Sequence, residues 1–236
     1  MGKKIIFHSI KFFDYEFKYM IDKLINCGGY IVAPAASSLS EILNKKIYYN
    51  SLRNADIAIL DSGFFCVLLR IFKKEKVKKF SGYLFLKSIL ETNKFKNKKF
   101  FLINPNILEQ NKNSNLLRTK GIFNFKSFCA PIYSLSNFRD LKLVKMINLY
   151  SPDFIIINVG GGIQEPIGAF IKQNLRKKKT AIICTGAAIG FLTKVQAPIN
   201  EIYDRYYLGW LIRLLHKPKS FFPRIIQSFG LIRYFK

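Results

Sequence analysis

Ser151 to Glu165 reads SPDFIIINVGGGIQE, an apolar, β-branched run that ends in three glycines and a Gln-Glu pair. The run Phe154–Val159 has the composition of a strand buried on both faces of a parallel sheet. Glycines at its carboxyl end let a ligand or another backbone come close. Open α/β sheets bind their ligands at that edge. Taken alone, such glycines equally well only turn the chain.

Working outward, a second strand-turn unit follows at Thr180–Ala188 (TAIICTGAA), after a basic, helical connector from about Pro166 to Lys179. Strand, crossover helix and strand within about thirty residues make a βαβ unit. Upstream, Lys3–Ser9 reads as a first strand, and Tyr15–Cys27 as an amphipathic helix stopped by Gly28-Gly29. Tyr30–Ala33 then reads as a strand ending at Pro34. Ser37 or Ser38 can N-cap a helix through about Asn44, with Ser38 and Glu41 at capping-box spacing. Ile57–Leu60 is the next strand, with Asp61 at its carboxyl end and Ser62-Gly63 turning the chain. Tyr83–Leu90 reads as a helix, Phe100–Asn104 as a strand, the asparagine-rich Asn104–Asn115 as a loop, and Leu141–Tyr150 as a helix. The pattern predicts an α/β fold: a Rossmann-like parallel sheet flanked by helices, with a basic helical appendage at the C-terminus.

The composition narrows the function classes. The chain has 236 residues, enough for one α/β domain with a substantial core and no need of disulfides. Four cysteines (Cys27, Cys66, Cys129, Cys184) lack CxxC spacing, and His8 and His216 are the only histidines. Buried free thiols are expected, and a structural metal is not. No secretion signal is visible, because His8, Lys11 and Asp14 interrupt the N-terminal apolar residues. The most apolar window, Ile57–Phe72, contains Asp61 and Arg70 and falls short of a membrane span. A formal charge of +25 points by itself to nucleic acid or to an anionic membrane surface. No nucleic-acid recognition motif accompanies it, so no nucleic-acid partner is expected.

The downstream stretch Gln196–Arg224 (QAPINEIYDRYYLGWLIRLLHKPKSFFPR) completes a recognisable order of residues. Pro152-Asp153, Gly160, Gln164-Glu165, Gly186-Ala187, Ala197-Pro198, Leu208, Trp210, Arg213-Leu214, Pro218 and Arg224 together resemble the WecG/TagA/CpsF family of bacterial glycosyltransferases, glycosyltransferase family 26. In that family the strand end reads roughly G-x-P-K-Q-E, the next turn V-G-x-x-F-D-F, and the tail R-A-P…G-L-E-W-L-x-R-L…E-P-x-R. Ala55-Asp56, Leu60–Gly63 and Phe80–Gly82 are similar to its A-D, x-D-G and V-T-G segments. The chain departs from the pattern at several positions. Gly162 and Ile163 stand for the Pro and Lys of P-K-Q-E, Gly190 for the aspartate of F-D-F, Gln196 for the arginine of R-A-P, and Gly209 for the glutamate of L-E-W. Ala33 and Ala35 stand for a Thr and an Asn at the first strand end, and Leu84 for an aspartate.

The resemblance implies transfer of a hexosyl unit, often N-acetylated or uronic, from a UDP-sugar to a polyprenyl-diphosphate-linked acceptor in surface polysaccharide synthesis. It implies a protein at the inner, cytoplasmic face of the membrane. Asp61 is the expected base for the acceptor hydroxyl, with turn capping as the other reading. Gly160, Gly161 and Gly162, with Gly186, are expected to admit the nucleotide closely. Gln164 and Glu165 are expected to bond uracil or ribose, Glu165 alternatively serving the dipole of the following helix. Arg213 and Arg224 are expected on the diphosphate, or else in surface ion pairs. The chain contains no D-x-D, and neither cofactor nor divalent metal is expected. The division expected is a catalytic domain over 1–197 and, over 198–236, an appendage for membrane and acceptor. In that appendage arginines, lysines and aromatic rings interleave, as in an interfacial helix or a core-packing tail. The replaced motif residues leave open a non-catalytic relative that binds sugar nucleotide or lipid-linked glycan without turnover.

Overall fold

The computed structural model describes residues 2–186, 188–196 and 209–235. The first half carries β1 (Lys3–Phe7), β2 (Ile10–Asp14), α1 (Phe17–Cys27), β3 (Gly29–Val32), α2 (Ala36–Leu39), α3 (Lys46–Arg53), β4 (Ile57–Ile59), α4 (Gly63–Phe72) and α5 (Gly82–Glu91). The second carries β5 (Phe100–Asn104), α6 (Ile107–Thr119), β6 (Phe125–Cys129), α7 (Leu141–Tyr150), β7 (Phe154–Ile157), α8 (Gln164–Asn174), β8 (Ala181–Cys184), α9 (Ala188–Leu192), α10 (Gly209–His216) and α11 (Pro218–Phe229). The strands form one sheet in the order β1-β2-β4-β3-β8-β7-β5-β6. Only β1 runs antiparallel to its neighbour; every other pairing is parallel.

Because side chains alternate across a strand, each central strand feeds two cores. On one face Tyr30, Val32, Ile155, Ile157 and Ile182 pack with Leu39, Tyr48, Leu69, Ile147 and Ile167 of α2, α3, α4, α7 and α8. On the other, Ile31, Ile57, Leu102, Ile156 and Ile183 pack with Met20, Leu86, Leu117 and Ile189 of α1, α5, α6 and α9. The result is the predicted helix-covered parallel sheet, and it explains why β5, β7 and β8 are apolar without alternation.

Four expectations need correction. The N-terminal strand is a hairpin, with β2 pairing in parallel with β4. Its two-residue turn is His8-Ser9, both at positive φ (45° and 61°), as hairpin geometry demands. The asparagine-rich segment expected as a loop is helix α6. Asn106 caps it by accepting from the Glu109 N–H at 2.8 Å, and the Asn106 amide returns a bond to the Glu109 carboxylate. Ser37 and Ser38 do not cap α2, whose first turn starts at Ala36 after Ala35 and stops at Leu39. Of the cysteines only Cys66 and Cys184 are buried, whereas Cys27 is exposed.

The expected boundary at residues 197–198 lies outside the described residues, as do Ala187, Leu208 and the residues between 198 and 208. The described end of the chain returns to the body. Leu231 and Phe235 are buried in the larger core, Phe235 against Phe7, Phe65 and Phe72. Arg233 and Tyr234 both donate to the Ser40 carbonyl.

Candidate active site

Five parallel strands end on one cavity of about 660 Å³. β3 delivers Ala33 and Ala35, β4 Asp61, β5 Pro105, β7 Asn158 to Gly162, and β8 Thr185 and Gly186. Helices α10 and α11 close the opposite side with Arg213, Lys217, Ser220, Phe221, Arg224 and Gln227. Every residue singled out from the sequence lines this space: Asp61, Gly160, Gly161, Gly162, Gln164, Glu165, Gly186, Arg213 and Arg224. Asp61 and Gly160 follow strands three places apart in the sheet, a separation of about 14 Å at ordinary strand spacing. That span suits an elongated ligand with chemically different ends.

Asp61 is not the residue that caps α4. Ser62 does so, its hydroxyl accepting from the Phe65 N–H at 3.2 Å at the start of α4. The Asp61 carboxylate instead accepts from the Gly82 N–H at 2.8 Å, at the first residue of α5. Ser81, the N-cap of α5, accepts from Leu84 N–H. Thus Phe80–Gly82 serves as the support that fixes the Asp61 side chain. The two other aspartates of the motif segments sit at the opposite sheet edge and hold strand starts. Asp56 accepts from Tyr30 N–H and pairs with Lys172, and Asp153 accepts from Lys99 N–H and pairs with Lys177.

The glycine-rich turn is shaped from beneath. Gly160 and Gly162 have φ of 99° and 92°, a region that side chains disfavour, and a Cβ added at either would meet nothing within 4 Å. Their lack of side chains therefore leaves open cavity above the backbone. Gln164 and Glu165 are 0 % and 1 % exposed. One Glu165 oxygen accepts from Gly162 N–H at 2.7 Å and the other from the Gln164 side-chain amide N–H at 3.1 Å, while the Gln164 Oε1 accepts from Gly186 N–H at 3.2 Å. The Tyr30 hydroxyl donates to the Glu165 backbone carbonyl at 2.6 Å. The pair thereby ties the turns after β7 and β8 to each other and to β3. Burial raises the Glu165 carboxyl to about 7, against which its three hydrogen bonds act. Glu165 also lies in the first turn of α8.

Arg213 is half-buried and stacks on the Phe191 ring at 4.6 Å, with Phe221 at 6.0 Å; Arg224 lies over Phe221 at 5.3 Å. Aromatic faces hold both guanidinium planes beside the cavity. Lys45 and Lys217 add positive charge to its lining, and Glu109 a carboxylate.

Sequence reading overlooks Asn158 and Thr185, which occupy the positions just before the two glycine turns. Ile156 pairs with Ile183 across β7 and β8, so the continued register sets Asn158 beside Thr185. Both line the cavity and both are buried, yet Asn158 Oδ1 and Thr185 Oγ1 have no hydrogen-bond partner among the described residues. Their place at a strand's carboxyl end is the signal that marks them.

A profile of the glycosyl transferase WecG/TagA/CpsF family matches residues 7–235, nearly the whole chain. The chain belongs to the WecG/TagA/CpsF family of glycosyl transferases. No curated protein matches the sequence. Membership implies, in general terms, a site for a sugar donor and an acceptor. Among the described residues no helix is long and apolar enough to cross a membrane. Ala33, Ala35, Gly190 and Gln196 also fall on the cavity lining. Two of them touch. The Gly190 carbonyl accepts from both Val195 and Gln196 N–H at 2.9 Å, and a Cβ at Gly190 would lie 2.6 Å from the Gln196 side chain.

Proposed function

We infer that the protein transfers a hexosyl unit, N-acetylated or uronic, from a UDP-sugar to a polyprenyl-diphosphate-linked acceptor in bacterial surface polysaccharide synthesis. The observation that carries this reading is the convergence of one carboxylate, an open glycine turn and two stacked arginines on a single cavity. Asp61, oriented by Gly82 N–H, accepts the proton of the acceptor hydroxyl as its oxygen bonds to the anomeric carbon. The bond from that carbon to the diphosphate oxygen breaks, and UDP leaves with the electron pair. Arg213 and Arg224 meet the charge that grows on the diphosphate, a task suited to planar bidentate donors. The side-chain-free edge of Gly160 and Gly162 lets the nucleotide lie against backbone. Gln164 and Glu165 support that edge from beneath. The cationic lining takes the place of a divalent ion, so chelator leaves the rate unchanged.

On this reading the enzyme works at the inner face of the cytoplasmic membrane, where its acceptor is anchored. The basic aromatic C-terminal region makes the contact. The direct test is UDP release with a panel of UDP-sugars and a short-chain polyprenyl-diphosphate acceptor. Acceptor-dependent release with one donor supports the reading.

A second reading is favoured by the small or uncharged residues Ala33, Ala35, Gly190 and Gln196 on the cavity lining. It describes a relative that binds sugar nucleotide or lipid-linked glycan and does not turn over. Saturable UDP-sugar binding without UDP release across the donor panel would establish it.

A further inference from the structure

Helix α11 is amphipathic in an unusual sense. Lys217, Ser220, Phe221, Arg224 and Gln227, at its start and along one side, line the cavity, while Phe222, Ile226 and Phe229 share the other side and are exposed. None of the helix residues is buried. The apolar side does not end with the helix. The Phe229 ring meets Phe64 edge-on at 5.4 Å; Phe64 is partly buried against the larger core, and Val67 and Ile71 continue from it at helical spacing on the exposed side of α4. Val67 and Ile71 are 40 % and 65 % exposed, whereas Phe65, Cys66, Leu68 and Leu69 hold the inner face of the same helix. Farther along, Phe72 of α4 packs at 5.7 Å on Phe235, so α4 and the C-terminal segment lie side by side.

Charge follows the same line. Lys73, Lys74, Lys76 and Lys78 are exposed just beyond α4, whose Arg70 donates to the Val77 carbonyl. The only carboxylate between them, Glu75, is paired with Lys3. An apolar stripe bordered by cations is the chemistry of an anionic bilayer surface: rings and branched chains enter the headgroup boundary while lysines meet lipid phosphates.

We propose that α4 and its basic strap, residues 63–79, form one continuous membrane-docking face with α11, so that the body of the protein and not only its tail sits on anionic lipid. The proposal rests on the membrane location argued above and extends it to a part of the fold that carries no tail residue. Docking through both helices would hold the cavity within about one helix diameter of the bilayer, across α11 from the lipid.

The test is co-sedimentation of the full chain with vesicles of phosphatidylcholine alone or with phosphatidylglycerol, for the parent, V67D/I71D and F222D/I226D. A milder pair, V67S/I71S, guards against a folding defect, and circular dichroism checks each. Trp210, the single tryptophan and an exposed one, reports tail insertion by a blue shift of its emission. The expected result is binding that requires phosphatidylglycerol and falls about tenfold or more in both aspartate pairs, with a smaller loss in V67S/I71S. Parental binding by both α4 pairs, alongside loss in the α11 pair, would overturn the proposal, as would equal binding to phosphatidylcholine alone. UDP release with a soluble acceptor in detergent is read separately. A failed transfer reaction with intact two-helix binding therefore counts against the enzymatic reading and not against the docking face.

Discussion

The Glu165 carboxylate accepts a hydrogen bond from Gly162 N–H at 2.7 Å from a position with 1 % exposure. The groups around it are Tyr30 of β3, Tyr48 of α3 and Cys184 of β8, all of which burial pushes well above their ordinary values and keeps neutral. A carboxyl in such company is held to about 7 against an ordinary 4.5. The native state therefore binds this proton more tightly than the unfolded chain does. Its contribution to stability is complete below pH ~4.5 and is lost as pH rises to about 7, an effect on the order of 3 kcal/mol. Glu165→Gln does not titrate, so its stability relative to the parent should rise between pH 4.5 and 8. Urea unfolding of both proteins across that range measures it. A constant difference would mean that Glu165 is not held near 7.

The hydrogen bonds themselves ask for an acceptor at both oxygens, and this gives function the opposite slope. Above about pH 7 the ionised carboxylate braces the turns after β7 and β8 at full strength; below it the brace loosens. UDP-sugar affinity is expected to fall on acidification through this point in the parent and to be flat with pH in Glu165→Gln. Titration calorimetry at pH 6 and pH 8 decides between them.

At the turn itself, Gly160→Ala or Gly162→Ala places a methyl group over empty cavity in a left-handed backbone conformation. The strain costs about 1 kcal/mol, and the methyl group stands where the ligand backbone would lie. Each variant should unfold slightly earlier and lose far more donor affinity than stability. Gly161→Ala, whose φ is not in that region and whose nearest neighbour is the Ser38 hydroxyl at 4.0 Å, is the control expected to stay near parental in both.

The parallel core was readable because β5, β7 and β8 are apolar on both faces and end in turn residues. The cavity was readable because strand-end glycines and Asp61 share one edge by the βα rule. What escaped reading depended on contacts distant in sequence. His8-Ser9 carries neither glycine nor asparagine, so nothing local announces a hairpin. The asparagines of α6 look like loop formers until Asn113 is seen, buried, donating to Asn104 at 2.7 Å. Leu231 and Phe235 look in sequence like the exposed apolar residues before them, and only the return of the chain to the body makes them core, Phe235 against Phe7 and Phe72.

Thr185→Val separates the cost of a buried polar atom from its use. The Thr185 hydroxyl oxygen is buried with no partner among the described residues, a condition worth about 1–3 kcal/mol of lost stability. Valine keeps the shape and removes the hydroxyl, so the variant should unfold later than the parent. If the hydroxyl meets the ligand after a small rotation, donor affinity should drop in the same protein. Thermal unfolding with and without UDP-sugar reads both effects; a variant that is less stable without ligand would show that the hydroxyl already has a partner.

Asp61→Asn preserves the acceptor for Gly82 N–H and removes the capacity to take a proton. Loss of a positioned general base lowers turnover by about 10²–10⁴-fold, with UDP binding near parental because the amide has the same shape. Single-turnover UDP release and calorimetry on the same preparation check the split. Turnover near the parental rate would assign the proton to another group.

Arg213 and Arg224 differ in one respect that should appear in their lysine variants. Arg213 is half-buried between Phe191 and Phe221, whereas Arg224 is exposed and, among the described residues, rests on Phe221. Lysine keeps the charge and loses both the planar fork and the stacking surface. Arg213→Lys should therefore weaken UDP binding and lower stability together, because a less delocalised cation is left among aromatic rings. Arg224→Lys should weaken UDP binding with stability unchanged. UDP affinity measured at low and high salt separates fork from charge: if the pairing is bidentate, the lysine variants lose affinity at both salt concentrations, and if it is only attraction at a distance, they match the parent at each.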